Sequence, residues 1–278
     1  DNVERDIYFV RQRRHTYDLE LQNNLDFGRN QVIWGGGYRM IRDNLDSTEI
    51  MSFEKENRTD YIYNIFAQNQ FSILPEKLNF SFGAKLEYNN YTDSEFQPNA
   101  RIAWTPNSEH TIWSAVSVAK RMPSRSERDV ELKISYNSLA GDFVTRNGTD
   151  EADSETVTAY EIGYRLLPTK NFLVDLTAFY NDYDDLLVDE FTGVTGSFTN
   201  DGRAEAYGFE IFLENYLTNN IELGAGYTFL DVRLEADSTQ AVENLFRQSE
   251  DTSPQHQFNL RTHIVLPLSL EFDGHLYY

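Results

Sequence analysis

The 278-residue chain has no cysteine, which excludes disulfides, thiolate metal sites and cysteine nucleophiles. It has no run of 18 apolar residues, so no transmembrane helix is available. Basic residues are scarce: 24 Lys and Arg stand against 45 Asp and Glu, a net charge of −21. A chain this acidic repels phosphate backbones, so no nucleic-acid partner is expected. Histidine is sparse as well. His15, His110, His256, His263 and His275 form no HExxH motif and no i, i+4 pair. No metal site and no resident cofactor are expected. Mean hydropathy is −0.57, too polar for a helical membrane protein.

What is present is alternation. Leu78, Phe80, Phe82, Ala84, Leu86 and Tyr88 interleave with Asn79, Ser81, Gly83, Lys85, Glu87 and Asn89. Side chains of a strand point to opposite faces in turn, so one face is oily and the other wet. The pattern recurs from Tyr17 to Phe27, Val32 to Met40 and Tyr61 to Ile73. It returns at Phe96–Trp104, Tyr160–Leu166, Phe172–Tyr180 and Tyr207–Leu213. Ile221–Phe229, Phe258–Leu266 and Leu268–Tyr278 complete it. The stretch 111–120 is small or apolar on both faces. With it, the chain offers about 12 strands, and the oily faces of the other eleven carry no charge. A lipid-facing barrel strand needs such a face, because a midplane charge costs about 2–4 kcal/mol.

Connections fall into two kinds. Those near 27–30, 74–77, 105–109, 167–171, 215–220 and 265–268 are short, and four contain Pro75, Pro106, Pro168 or Pro267. Those near 43–57, 89–95, 121–154, 183–201 and 234–253 read as long polar loops. Short turns at one end and long loops at the other are the habit of outer-membrane barrels. Tyr88, Phe96, Tyr180, Tyr227 and Phe229 approach the long loops; Phe27, Phe71, Trp104 and Phe172 approach the turns. Two aromatic girdles are expected from this. The fold expected is all-β, an antiparallel transmembrane β-barrel. Both chain ends fall on the long-loop side, whereas a complete bacterial barrel begins and ends in the periplasm. The expectation is therefore a piece of a larger barrel.

Three stretches carry a family resemblance. They are QPNARIAWTPNSEHTIWSAVSVAKRMPSRSERD (97–129), TAYEIGYR with LVDLTAFYNDYDDLL (158–187), and NDGRAEAYGFEIFLE (200–214). In order and spacing the chain resembles the C-terminal barrel region of TonB-dependent outer-membrane receptors. The resemblance implies a 22-stranded barrel closed by an N-terminal plug domain, which this sequence does not show. It implies location in the Gram-negative outer membrane and import of a scarce nutrient, most often a ferric siderophore or related metal chelate. It implies TonB as the energy-coupling partner, reached through the plug. Outer-membrane lipid and lipopolysaccharide are the surroundings.

Arg121, Arg125 and Arg128, with Lys120, gather where a strand enters the longest loop and are candidate contacts for an anionic solute. The competing reading pairs them with Glu127, Asp129 and Glu131, or with lipopolysaccharide phosphates. Arg39, Lys85, Glu87, Arg101, Glu161, Arg165, Asp175, Glu210, Arg261 and Glu271 occupy wet faces and are expected to face the lumen and plug. Asp182, Asp184, Asp185, Asp189 and Glu190 could attract calcium but lack EF-hand spacing. Loop extension by repulsion, or bridging of divalent ions to lipopolysaccharide, is the simpler reading. Asp273 and His275 share a face like a hydrolytic dyad, but no nucleophile accompanies them. No catalytic residue is expected. A passive porin, a barrel hydrolase and a soluble β-protein are the alternatives.

Overall fold

In a computed structural model, residues 2–7, 10–137, 141–236 and 253–278 are described. Alternation this regular can be satisfied only if neighbouring strands pair with oily positions directly opposite one another. The wall does this throughout. It begins with β1 (Asn2–Ile7), β2 (Val10–Phe27) and β3 (Asn30–Asp46), followed by β5 (Asn57–Leu74), β6 (Leu78–Asn89), β7 (Asp93–Trp104) and β8 (His110–Arg121). It continues through β11 (Glu155–Thr169), β12 (Phe172–Thr192), β13 (Thr195–Thr218), β14 (Ile221–Ala236), β15 (His256–Leu266) and β16 (Leu270–Tyr277). Every adjacent pair in the wall is antiparallel. Among the described residues its two edges, β1 and β16, do not meet, so the wall is open.

The register carries one oily face across all these strands. Leu19 stands opposite Tyr38, Tyr38 opposite Tyr63, and Tyr63 opposite Tyr88. Further round, Ile112 meets Tyr164, Tyr164 meets Leu176, and Leu176 meets Ile211. This settles the ambiguous strand β8. Ile112 and Val116 lie on the oily face, and Thr111, Trp113 and Ala115 on the other. The oily residues are uncovered: Leu19 is 70% exposed, Ile65 64% and Ile162 57%. Phe80, Leu176 and Leu223 are not buried either, so no second sheet packs on this face. A soluble sandwich would hide them.

Aromatic rings mark the loop-end limit of this face. Tyr38 lies 5.1 Å from Tyr63, Tyr63 6.3 Å from Tyr88, and Tyr160 6.2 Å from Tyr180. From Tyr61 to Phe71 the strand rises about 34 Å, or about 26 Å along the membrane normal at a tilt near 40°. That matches the apolar band of outer-membrane barrels.

The six short turns are present, and prolines and left-handed residues shape them. Gly28, Glu76, Leu268 and Ser269 all have positive φ. The Leu166/Thr169 register shift in the β11–β12 ladder brackets Pro168, which has no N–H to donate. Of the long loops expected from the sequence, two are corrected. Residues 90–92 form a tight turn rather than a long loop. Asn89 builds it, its Oδ1 accepting from the N–H groups of Tyr91 and Thr92 at 2.8 and 2.9 Å. Residues 183–201 are not a loop but the far end of a long hairpin, with β12 of 21 residues and β13 of 24. Polar alternation there forms strand as well as oily alternation does, because the ladder is backbone. Of the loop expected near 234–253, residues 237–252 lie outside the described residues.

The wall has no apolar core of its own. The one buried apolar cluster among the described residues, Leu45, Phe53 and Val130 with Met51 against it, sits among the loops. A charge on the oily face should therefore meet lipid. Ile65→Arg is expected to cost about 2–4 kcal/mol of folding stability in bilayers, whereas Asn64→Arg, on the other face, should be near neutral. Denaturant titration in lipid vesicles checks both.

Candidate functional site

The long connection after β8 does not hang free. Arg121 ends the strand, Pro123 breaks it, and Ser124 starts a one-turn helix, α1 (Arg125–Asp129). The Ser124 N–H donates to Glu127 Oε2 at 2.6 Å, the local signal that opens the helix. Two short strands follow, β9 (Val130–Asn137) and β10 (Asp142–Asn147). β9 pairs with β4 (Met51–Phe53), which lies in the connection between β3 and β5. β10 runs parallel to the overhanging start of β13, Thr145 opposite Thr195. The result is a ribbon, β4–β9–β10–β13, that joins the β3/β5 sector of the wall to the β12/β13 sector at the loop end.

Buried charges fix that ribbon. Asp43, 1% exposed, accepts from Arg14 Nη2 at 3.1 Å and from Gln12 Nε2 at 3.3 Å, and lies 3.8 Å from Arg125. Arg125, 8% exposed, donates to Asp129 at 2.9 Å and to the Lys55 carbonyl, and its guanidinium stands 5.2 Å from the Phe53 ring. Asp129 also faces Arg58 at 3.8 Å; Arg58 binds Asp60 at 2.7 Å, and Tyr91 Oη donates to Asp60 at 3.0 Å. Charges alternate along the series Asp43, Arg125, Asp129, Arg58 and Asp60. This arrangement lets a low-polarity site hold charge. Burial, and then the neighbouring Asp60 carboxylate, push the Tyr91 phenol well above its usual range, so it acts only as a donor.

A second tie lies at the other end of the connection. Pro98 interrupts the β7–β8 ladder, which stops at Asn99 and Ser117. Glu95 beyond it is buried, with Lys120 Nζ at 3.9 Å and the Ser154 hydroxyl donating to it. Asn200 on β13 accepts from the Asp153 N–H at 2.8 Å and donates to the Asp153 carbonyl at 3.1 Å.

The three candidate arginines thus have partners. Arg121 donates to Glu155 at 2.5 Å and to Glu127 at 3.1 Å, yet its side chain remains 49% exposed. Arg125 is sealed in the network above. Arg128 donates to the Ala152 carbonyl at 2.6 Å and lies 3.9 Å from Asp150. The missed partners Asp43, Asp60 and Tyr91 are far away in sequence. Only the period-two run Val130, Leu132, Ile134 hinted that this stretch was strand.

Below the ribbon, the charged face of the wall pairs cation with anion, on neighbouring strands or, for Lys85 and Glu87, two residues apart on one strand. Arg39 donates to Asp18 at 2.7 Å, Lys85 meets Glu87 at 2.6 Å, and Arg165 donates to Asp175 at 2.9 Å. Arg261 lies between Glu214 at 2.7 Å and Glu222 at 2.8 Å. Arg101 stacks 4.3 Å from the Trp113 ring. That indole lies flat over Gly163, where a Cβ would sit 2.3 Å from it. Glu161 faces Ala115, Glu210 faces Thr177 and Thr228, and Glu271 faces Val265. Asp18, Glu20, Arg39, Lys85, Glu87 and Met122 line a cleft of about 360 Å³, so the connection after β8 reaches the charged face.

Two alternatives weighed and set aside in the sequence can be placed in the structure. Asp273 does not pair with His275; it bonds His263 across the β15–β16 ladder at 2.8 Å, while His275 stacks on Tyr277. Asp182, Asp184, Asp185, Asp189 and Glu190 lie along β12, and Asp189 pairs with Arg146 on β10. Among the described residues no three His, Asp or Glu groups converge on a metal-sized site.

Two outcomes follow. Arg125→Ala leaves Asp43 and Asp129 buried without their cation and should destabilise the ribbon locally by about 3–5 kcal/mol. Hydrogen exchange over residues 125–135 should rise while the heat-stable wall persists. Acid should act similarly. Burial pushes Glu127 up, but bonds from Arg121 and Ser124 outweigh it and hold the carboxyl below its ordinary value of 4.5. A depressed folded pKa adds stability above the unfolded pKa, and that stability is lost as pH falls through the folded one. Protease cleavage within 122–154 should therefore accelerate below about pH 4 and not between about pH 6 and 8.

Comparison with known proteins agrees with this architecture. The family model described as TonB dependent receptor-like, beta-barrel matches residues 1–274. An iron-regulated outer membrane virulence protein of Vibrio cholerae serotype O1 is 25% identical over 199 residues, 67% of this chain and 29% of that protein. The siderophore receptor PirA from Pseudomonas aeruginosa superimposes with a TM-score of 0.75 at 15% identity, covering 100% of this chain and 51% of the receptor. A ferric enterobactin receptor mutant from the same species, in complex with enterobactin, gives 0.74 at 14% identity, covering 96% and 42%. These structures share the fold, and the chain spans about half their length or less. The chain belongs to the TonB-dependent receptor-like β-barrel family, proteins of the Gram-negative outer membrane.

Proposed function

We propose that this segment is wall and outer mouth of a receptor that binds a scarce metal chelate of the ferric siderophore class and imports it actively. The observation that carries the reading is the ribbon β4–β9–β10–β13, which bridges the loop end instead of leaving it open. A passive porin depends on a continuous water path, and a bridged mouth works against one. The charged face, from Arg39 and Lys85 through Arg101, Glu161, Arg165, Asp175 and Glu210 to Arg261 and Glu271, is the lumen wall in this reading. Its paired charges, and acids such as Glu161 and Glu210 that stand opposite uncharged residues, leave hydrogen-bonding capacity for a plug. TonB would act through that plug, which the resemblance places N-terminal to the barrel. Of the three candidate arginines, Arg121 is the one exposed enough to touch an anionic solute; Arg125 and Arg128 hold the ribbon in place. The relatives' names, siderophore receptor and iron-regulated outer membrane protein, support the solute class.

The test uses the full-length receptor in a strain deleted for it. Uptake of ferric chelates should depend on the receptor, and should cease when TonB is deleted or the proton gradient is collapsed. Uptake that continues without either would identify a porin. Arg121→Ala should raise the half-saturating chelate concentration by about five- to twentyfold, the loss of one charged hydrogen bond.

A further inference from the structure

A cationic cleft stands outside the barrel, away from the mouth. On β2 the oily face runs from Phe27 through Leu25, Leu21 and Leu19 to Tyr17; the next same-face residues are His15 and Arg13. On β3 it ends at Met40, and the next same-face residue is Arg42, directly opposite His15. On β5 the matching positions beyond Tyr61 are Thr59 and Asn57. Arg13, His15, Tyr17, Met40, Arg42, Asn44 and Asn57 line one cleft of about 550 Å³. All seven share the parity of the lipid-facing residues, so the cleft opens on the outer surface. It lies a single same-face step, about 7 Å along the strand, beyond the aromatic girdle.

The sign of the charge is what makes this level of the wall informative. Across the wall, the same height above the girdle carries Asp182 beyond Tyr180, Glu205 beyond Tyr207 and Asp231 beyond Phe229. The chain has nearly two acidic residues for each basic one. On β13 and β14 the next same-face residues, Arg203 and Arg233, stand among those acids, whereas in the β2–β3 sector the cations Arg13 and Arg42, with His15, come directly above the girdle; Glu4 of β1 is in register with Arg13. At that height the surrounding membrane presents phosphorylated headgroups. Guanidinium forks match phosphate oxygens, and Asn44 and Asn57, bonded to each other at 2.7 Å, supply a polar floor.

We propose that this cleft binds the phosphorylated headgroup of an outer-leaflet lipid, clamping the β2–β3 sector at the leaflet surface. Arg13 and Arg42 are the phosphate ligands, His15 adds a third donor, and Tyr17 and Met40 meet the start of the acyl region. The proposal rests on the apolar face being the lipid face.

The test uses the full-length receptor, purified in detergent and incubated with lipid A bearing both phosphates, dephosphorylated lipid A, phosphatidylglycerol or inorganic phosphate. Retention is read by native mass spectrometry. Phosphorylated lipid A should be retained, and Arg13→Gln with Arg42→Gln should weaken retention by at least about tenfold. Arg233→Gln, an outer-face cation in the acidic sector, should change nothing, and Arg42→Lys should restore part of the binding. Equal retention by the double variant, or equal retention of dephosphorylated lipid A, would overturn the site. Binding of inorganic phosphate without lipid A would reject a lipid headgroup as its occupant. A double variant that loses its heat-resistant fold is replaced by Arg42→Gln alone, read the same way. If instead the receptor stays in solution without detergent, the lipid-face reading itself fails, independently of the cleft.

Discussion

A backbone that crosses lipid must satisfy its N–H and C=O groups within the wall, because the bilayer core offers no water to replace them. Everything else in this structure follows from that. Strand must pair with strand for the full height of the bilayer, and the pairing fixes the register. Register then fixes which side chains face out, since a one-residue slip would move every oily side chain inward. The antiparallel pairs from β2 to β16 meet this demand without a side-chain core. The wall is thus stable where apolar residues are exposed, which in water would be a liability.

The ribbon at the loop end answers a different demand. It lies above the girdle, where water can compete for its hydrogen bonds, so the backbone ladder alone does not hold it. It gains a small apolar cluster, Leu45, Phe53 and Val130, and a network of buried charges around Asp43, Arg125 and Asp129. Buried ion pairs contribute little net stability against apolar packing, but losing one partner is costly. Such a network specifies one arrangement strongly without making it deep. The ribbon is thus held in one place across the loop end by contacts that each depend on their partners.

The wall was legible from the sequence because its rule is local. Period-two alternation between Leu78 and Tyr88, and its repeats, located eleven strands of the wall; β8, apolar or small on both faces, was placed without a facing, and the short β1 was missed. Pro75, Pro106, Pro168 and Pro267 located four turns. The loop end was not legible for the same reason in reverse. β12 and β13 continue past Tyr180 and Tyr207 without oily–polar alternation, Asp184-Asp185 being followed by Leu186-Leu187-Val188, so the period-two signal is lost although the ladder persists. The 90–92 turn depends on one Asn89 side chain, and its polar sequence reads as loop. Arg121, Arg125 and Arg128 stood out as a cluster, but what each does depends on Asp43, Glu155 and Ala152, contacts set by topology. His275 had a sequence neighbour in Asp273, yet the ladder gave that carboxylate to His263.

Charge distribution, rather than net charge, separates the surfaces of this barrel. On the inner face each cation has local partners, as Arg39 has Asp18 and Arg261 has Glu214 and Glu222, while Glu161, Glu210 and Glu271 stand opposite uncharged residues, so that face is polar with acids in excess. Further negative charge collects above the girdle on β12 and β13, at Asp182, Asp184, Asp185 and Glu205. Within about 10 Å, the screening length at ordinary ionic strength, that field is felt by an approaching solute and beyond it hardly at all. The acidic hairpin and the cationic β2–β3 sector therefore act separately. Each sets the local preference of its own stretch of rim, and neither can be inferred from the chain's total of −21.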